Sequence, residues 1–153
     1  MKHLYLFTLE ITPLEIGRVY DELPSHLTLM SRFLSHFSPD ELTTRVRPLF
    51  AGTSPVHLAF GKTKILGPKK VTAHMVASTD ERRLHNNLRK LLDGANVEYQ
   101  YPEFIGDNHK PHVTAREGVQ FVPGSTHTAS AVYLIEVVDK KRVVRAKFTL
   151  SAA

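Results

Sequence analysis

Lys110-Pro111-His112-Val113-Thr114-Ala115-Arg116 is the stretch on which the reading of this chain turns. It reads as a strand opening just after a proline, and in a strand residues two apart share a face. His112 and Thr114 therefore project together, while Val113 turns the other way, toward a core. An imidazole, a hydroxyl and then the Arg116 guanidinium along one surface suit a phosphate, provided the rest of the chain supplies a partner.

Ser25-His26-Leu27-Thr28-Leu29-Met30 is that partner. Leu27 and Leu29 face one way and His26 and Thr28 the other, again shortly after a proline, Pro24. Spelling alone carries little weight. With nine His and thirteen Thr in the chain, chance gives roughly one His-x-Thr triplet. His36-Phe37-Ser38 shows how easily a similar triplet arises, and Ser38 there serves as a helix cap. Read singly, each histidine is a structural residue on a half-exposed strand, and each threonine an ordinary strand residue. The matched context, one copy in each half of the chain, is what points to a site.

The chemistry of such a pair is specific. Histidine titrates near neutrality, so one ring can accept a proton while the other donates one. Two rings on opposite sides of a phosphodiester can activate water and protonate the leaving oxygen, while two hydroxyls steady the non-bridging oxygens. That reaction requires no metal. His57, His74, His85 and His127 show no ligand spacing, so no metal site and no cofactor are expected.

The two strands, their order and their spacing resemble the two-histidine phosphoesterase superfamily, whose bacterial members include the 2′-5′ RNA ligases, also known as RNA 2′,3′-cyclic phosphodiesterases. The resemblance runs from the first strand through the final hairpin. It implies an α+β, bilobal fold with pseudo-two-fold symmetry, in which two antiparallel sheets flank a central cleft and helices lie outside. It implies His26, Thr28, His112 and Thr114 as the catalytic set, with His112 as base on water and His26 as acid, roles that can exchange with direction. Arg116 resembles a basic position that follows the second motif and is carried over as a phosphate contact. Phe104 and Lys110 are further candidate substrate contacts, Phe104 by stacking on a base as aromatics do with unpaired nucleotides. The expected substrate is RNA or a nucleotide bearing a cyclic phosphate or a 2′-5′ linkage. The alternative is a non-catalytic RNA- or nucleotide-binding module using the same cleft. No Gly-rich phosphate loop or nucleotidyl-lysine motif supports ATP-driven ligation.

Outward from the two motifs, 153 residues suffice for one domain with a genuine core, here expected over residues 1–153. No cysteine is present, which excludes disulfides and thiolate chemistry. Net charge of +5 is compatible with a phosphate-bearing partner. The opening residues read as a strand rather than a signal peptide, and no apolar run approaches the roughly 18 residues of a membrane span. A cytoplasmic monomer is the expectation.

Leu4 to Ile11 reads as a buried strand. Thr12-Pro13-Leu14-Glu15 looks like a capping box, predicting a helix with Ile16, Val19, Tyr20 and Leu23 on one side. Ser38-Pro39-Asp40-Glu41 and Ser78-Thr79-Asp80-Glu81 predict two more helices, the latter ending at Gly94. Val56 to Leu66, bent at Gly61, and Val71 to Ala77 predict an antiparallel pair across Gly67-Pro68. Val97 to Phe104 reads as extended but interrupted at Pro102, and 105 to 111 as a polar loop with His109 and Lys110 exposed. Ala131 to Val138 and Arg142 to Leu150 predict a closing hairpin.

Overall fold

Strand β1 (His3–Glu10) is covered on both faces, and that double covering sets the layout of the molecule. The computed structural model describes residues 1–114 and 121–152. On one face of the sheet Tyr5, Phe7 and Leu9 pack with Leu27 and Phe33 against two helices. On the other, Leu6 joins Tyr133, Ile135 and Val144 in a smaller apolar cluster.

The helices are α1 (Pro39–Ala51) and α2 (Thr79–Asp93). Ser38 caps α1 with the complete box: its Oγ accepts from the Glu41 amide at 3.2 Å, and its own amide donates to Glu41 Oε1 at 2.9 Å. Leu42, Val46 and Phe50 form the buried stripe of α1. Leu84, Leu88 and Leu92 form that of α2. Ser78 caps α2 through Glu81 N at 3.0 Å. The Glu81 carboxylate does not reach back to close that box. It is fully buried and partners His109 instead.

The remaining strands are β2 (Val19–Tyr20), β3 (His26–Ser35), β4 (Val56–Leu66), β5 (Val71–Ala77), β6 (Glu98–Tyr99), β7 (His112–Thr114), β8 (Thr126–Ala129), β9 (Ala131–Val138) and β10 (Lys141–Thr149). Their order is β2-β10-β9-β1-β3-β7-β5-β4-β8, with β6 on β3, and every pairing is antiparallel. The fold is α+β, and the two sheets expected from the resemblance are two halves of one ladder. They join between β3 and β7 at a single residue pair, Leu27 with Val113. The expected bend at Gly61 is a register shift between Phe60 and Thr63. The extended segment after α2 gives way at Pro102 to a 3-10 turn over Pro102–Phe104.

The helix expected over Thr12 to Leu23 does not form. Gly17 sits at φ +86, which a right-handed helix cannot contain. The backbone on either side turns to the edge of β10 instead: the Gly17 amide donates to Val144 O at 2.7 Å, and Val144 N donates to Arg18 O at 3.1 Å. The Thr12 amide donates to Ser25 O at 3.2 Å, tying the start of the segment to the residue just before β3. Leu14 and Leu23 are buried beneath the segment, while Ile16 and Val19 are exposed. Helix propensity is a weak preference, and pairing with an unsatisfied strand edge outweighs it here.

Candidate functional site

The junction between the two halves brings the two His-x-Thr triplets side by side. Leu27 and Val113, the paired residues, are fully buried on the helix side. Their neighbours must point to the opposite face. Antiparallel register around that pair sets His26 beside Thr114 and Thr28 beside His112. The two histidines then lie on the diagonal, where a regular ladder separates neighbours by about 7–8 Å, with their Cβ atoms somewhat closer. A phosphate fits between two imidazoles so placed. All four side chains are half-buried.

Each histidine is held in the same way. His26 Nδ1 lies 2.8 Å from the Pro24 carbonyl, and His112 Nδ1 lies 2.9 Å from the Lys110 carbonyl. A carbonyl can only accept, so Nδ1 carries the proton in both rings. In the neutral form Nε2 is then the basic nitrogen of each. The carbonyl two residues earlier is thus a matched orienting group at both positions.

The flanks differ. Register on β1 places Thr8 beside Thr28 and Glu10 beside His26. Register on β5 places Ala73 beside Thr114 and Met75 beside His112. Glu10 accepts a hydrogen bond from the Tyr133 hydroxyl, and Lys147 Nζ lies 3.7 Å from its carboxylate. The Tyr133 oxygen also accepts from the Leu14 amide at 3.0 Å. Burial, and then the bond to Glu10, push the Tyr133 hydroxyl up to about 12, so it stays a proton donor to Glu10. His26 therefore has an acidic neighbour, and His112 an apolar one.

A cleft of about 260 Å³ opens beside His26 and Thr28, bounded by Leu6, Glu22, Ser31, Arg32, Tyr101 and Arg142 among others. A bulge builds part of its wall. Tyr5 pairs with Phe33 and Phe7 with Met30, so Leu6 alone faces both Ser31 and Arg32. The two side chains opposite Leu6 reach the cleft, while Phe33 stays in the core.

Of the predicted contacts, Phe104 is 56% exposed and packs its ring 6.1 Å from that of Tyr101. Among the described residues it is Tyr101, rather than Phe104, that bounds the cleft. Lys110 is exposed, and the part of it that meets the site is its carbonyl, through His112. Arg116 lies outside the described residues. Arg32, Tyr101 and Glu10 were not picked out as site residues because cross-strand neighbours and bulges have no local signature. For Tyr101 the available signal is its nearness to Phe104, the aromatic named from the same stretch of sequence.

Behind the junction lies a buried polar cluster that overturns the expectation of an exposed His109. His109 is only 7% exposed, and its Nε2 lies 2.6 Å from Oε2 of the fully buried Glu81. Its ring stacks on that of His85, centroids 3.8 Å apart and planes within 1°. His85 Nδ1 donates to Leu29 O at 2.7 Å, and its Nε2 accepts from the Gly106 amide at 3.0 Å. Arg82 bridges two loop carbonyls, those of Gly106 at 2.9 Å and His109 at 2.7 Å. The loop is buried because these carbonyls and amides find partners on α2.

Burial, and secondarily the neighbouring His109, Arg82 and Arg89, push His85 down to about 4. The unfolded chain protonates this residue first as pH falls, so stability should drop between pH 6.5 and 4 and this contribution should level off below that. At about 1.4 kcal/mol per pKa unit the full loss is roughly 3–4 kcal/mol, of which roughly 2–3 kcal/mol falls between about pH 7 and about pH 4.5. Urea unfolding at about pH 7 and about pH 4.5 checks it. The drop should be smaller in His85→Gln than in the parent by about that amount, and equal drops would refute the assignment.

Among the described residues no cluster of three or more His, Asp or Glu side chains is arranged to hold a metal ion. No described helix is long and apolar enough to cross a membrane.

The family model described as the 2′-5′ RNA ligase superfamily matches residues 10–152. No curated protein matches the chain. Solved structures share the fold. TT0787 of Thermus thermophilus is 19% identical, with 99% of each chain covered and a TM-score of 0.59. A structure described as a phosphoesterase is 15% identical at the same coverage and TM-score. E. coli LigT complexed with NADP+ is 14% identical over 99% of each chain with a TM-score of 0.57, and LigT has also been solved with 3′-AMP and with ATP.

Proposed function

Because the chain belongs to the 2′-5′ RNA ligase superfamily, we propose that it is a metal-independent phosphodiesterase that hydrolyses 2′,3′-cyclic phosphates or 2′-5′ linkages of RNA or nucleotides. The observation that carries this reading is the matched pair of histidines. Both are oriented by a carbonyl two residues back, on one face of the sheet, across Leu27 and Val113.

In the proposed reaction His112 Nε2 takes a proton from water as the water oxygen attacks phosphorus. His26 gives its proton to the departing ribose oxygen as the P–O bond breaks. The set returns to its starting state by passing one proton back through solvent. Thr28 and Thr114 donate hydrogen bonds to the non-bridging oxygens, which carry more charge in the transition state than in the substrate. Glu10 is the strand neighbour of His26 and Met75 that of His112, an asymmetry that supports His26 as the acid and His112 as the base.

Arg32, Arg142 and Tyr101 line the route away from His26 and suit a sugar-phosphate chain and a base. Phe104, Lys110 and Arg116 complete the proposed substrate contacts. Complexes of LigT with 3′-AMP, NADP+ and ATP support nucleotides as the ligand class.

The experiment is hydrolysis of a 2′,3′-cyclic nucleotide and of a 2′-5′-linked dinucleotide in the presence of EDTA. Turnover of either with a bell-shaped pH profile is expected. Salt-dependent RNA binding with no turnover of either substrate would instead identify a binding module.

A further inference from the structure

The two halves of the sheet meet at one residue pair, so the ladder by itself fixes their separation poorly. We infer that Glu81, Arg82, His85 and His109 are positioning residues that hold the loop before His112 against α2 and thereby set the tautomer and place of the His112 ring. This deepens the phosphodiesterase reading and rests on it for its kinetic part.

Hydrogen bonds tie α2 to the loop, and the loop in turn bonds to that ring. The last turn of the loop ends at Lys110, whose carbonyl accepts the His112 Nδ1 proton at 2.9 Å. One residue earlier, His109 is fixed at both ends: its carbonyl by Arg82 Nη2 at 2.7 Å and its ring by Glu81 at 2.6 Å. Gly106, where the loop enters, is held by Arg82 Nη1 through its carbonyl and by His85 Nε2 through its amide. Gly106 also has φ +72, a backbone conformation that residues with a Cβ rarely adopt, so the turn by which the loop enters suits glycine.

The same helix holds the other half. His85 Nδ1 donates to the carbonyl of Leu29, the residue after Thr28. Leu29 is the residue without a β1 partner where the β1–β3 register shifts between Phe7 with Met30 and Thr8 with Thr28. One imidazole thus bonds to both halves at once, to Leu29 O on the β3 side and to Gly106 N on the β7 side. Its two nitrogens have opposite roles, which only the neutral ring can fill. The downward displacement of its pKa agrees with that.

Full burial of a carboxylate is costly unless it is paired. A leucine at 81 would serve the core with less difficulty, and the acid is explained by what it holds. An isolated neutral imidazole prefers the proton on Nε2, so the Nδ1–H form of His112 has to be imposed, and the Lys110 carbonyl imposes it only while the loop stays in register.

The test uses the full-length chain with three variants, Glu81→Gln, Arg82→Lys and His109→Gln, each checked by thermal melting. Arg82→Lys is the variant that keeps the fold safest, since it retains the charge but a single ammonium cannot bridge two carbonyls as the planar guanidinium does. Ring 15N NMR of His112 reads the tautomer independently of activity. The expected result is a shift from the Nδ1–H pattern to a mixture in Glu81→Gln and Arg82→Lys. His109→Gln, which keeps a donor toward Glu81, should lie closer to the parent. Kinetically, kcat should fall about tenfold or more with KM within about twofold, as for a misplaced group that binds nothing itself. The limb of the pH profile belonging to His112 should move with it. A folded Arg82→Lys protein with an unchanged His112 spectrum overturns the inference, whatever its activity. Full activity in His112→Ala would instead overturn the phosphodiesterase reading and leave the tautomer result standing.

Discussion

Replacing His112 by alanine is expected to lower kcat/KM for a 2′,3′-cyclic nucleotide about a thousandfold, and His26→Ala about as much. In the proposed reaction each ring carries one of the two proton transfers, and general acid–base groups are worth about 10²–10⁴-fold each. The losses should not add in the double variant, because the two transfers belong to one displacement. The pH profile offers a second readout. Removing either ring should collapse the bell to a single limb, and the limb that survives identifies whether the remaining histidine acts as acid or base. Stability should change little, since both rings are half-buried and their Nδ1 partners are backbone carbonyls in turns that water can reach. A double variant with parental turnover would remove both histidines from the mechanism.

Leu27→Ala is expected to cost about 3–4 kcal/mol of stability, within the range for leucine truncation in a close-packed core. Leu27 is fully buried, pairs with Leu9 on one side and Val113 on the other, and sits between His26 and Thr28. The side chain removed is therefore the anchor of the first triplet at the one place where the halves join. Helix packing behind it, from Leu84 and Leu88, leaves little freedom for the void to close. Equilibrium urea unfolding gives the stability change, and the surviving folded fraction gives a second readout: its kcat should fall as well, because the strand that aims His26 has lost its seat. Leu42→Ala, in the same core but on α1 and away from the junction, should match the stability loss without the loss of kcat per folded molecule. Equal kcat losses in both would mean that the effect is global softening, and that Leu27 has no special tie to the site.

Much of the architecture is legible locally. The box at Ser38 and Glu41, the leucine stripe of α2, the β4–β5 and β9–β10 pairs and the bend at Gly61 all depend on neighbours within a few residues, where spacing and turn chemistry act. The failure at Thr12 to Leu23 has the opposite cause. The same residues carry a helical stripe and a cap, but the edge of β10, more than a hundred positions later in the chain, offers backbone partners that a helix start cannot match. Glu81 shows the same conflict within one element, being spelled as a capping residue and used as a buried partner for His109.

The sequence by itself determined the two His-x-Thr triplets and the face each presents, because alternation along a strand is a property of the backbone. Only the tertiary structure decided that the triplets adjoin through Leu27 and Val113, that Glu10 flanks one ring and Met75 the other, and that α2 grips the loop beneath His112. Those relations are set by which strands pair and in what register. That choice is made by burying the whole sheet against the helices, and no local stretch of residues carries it.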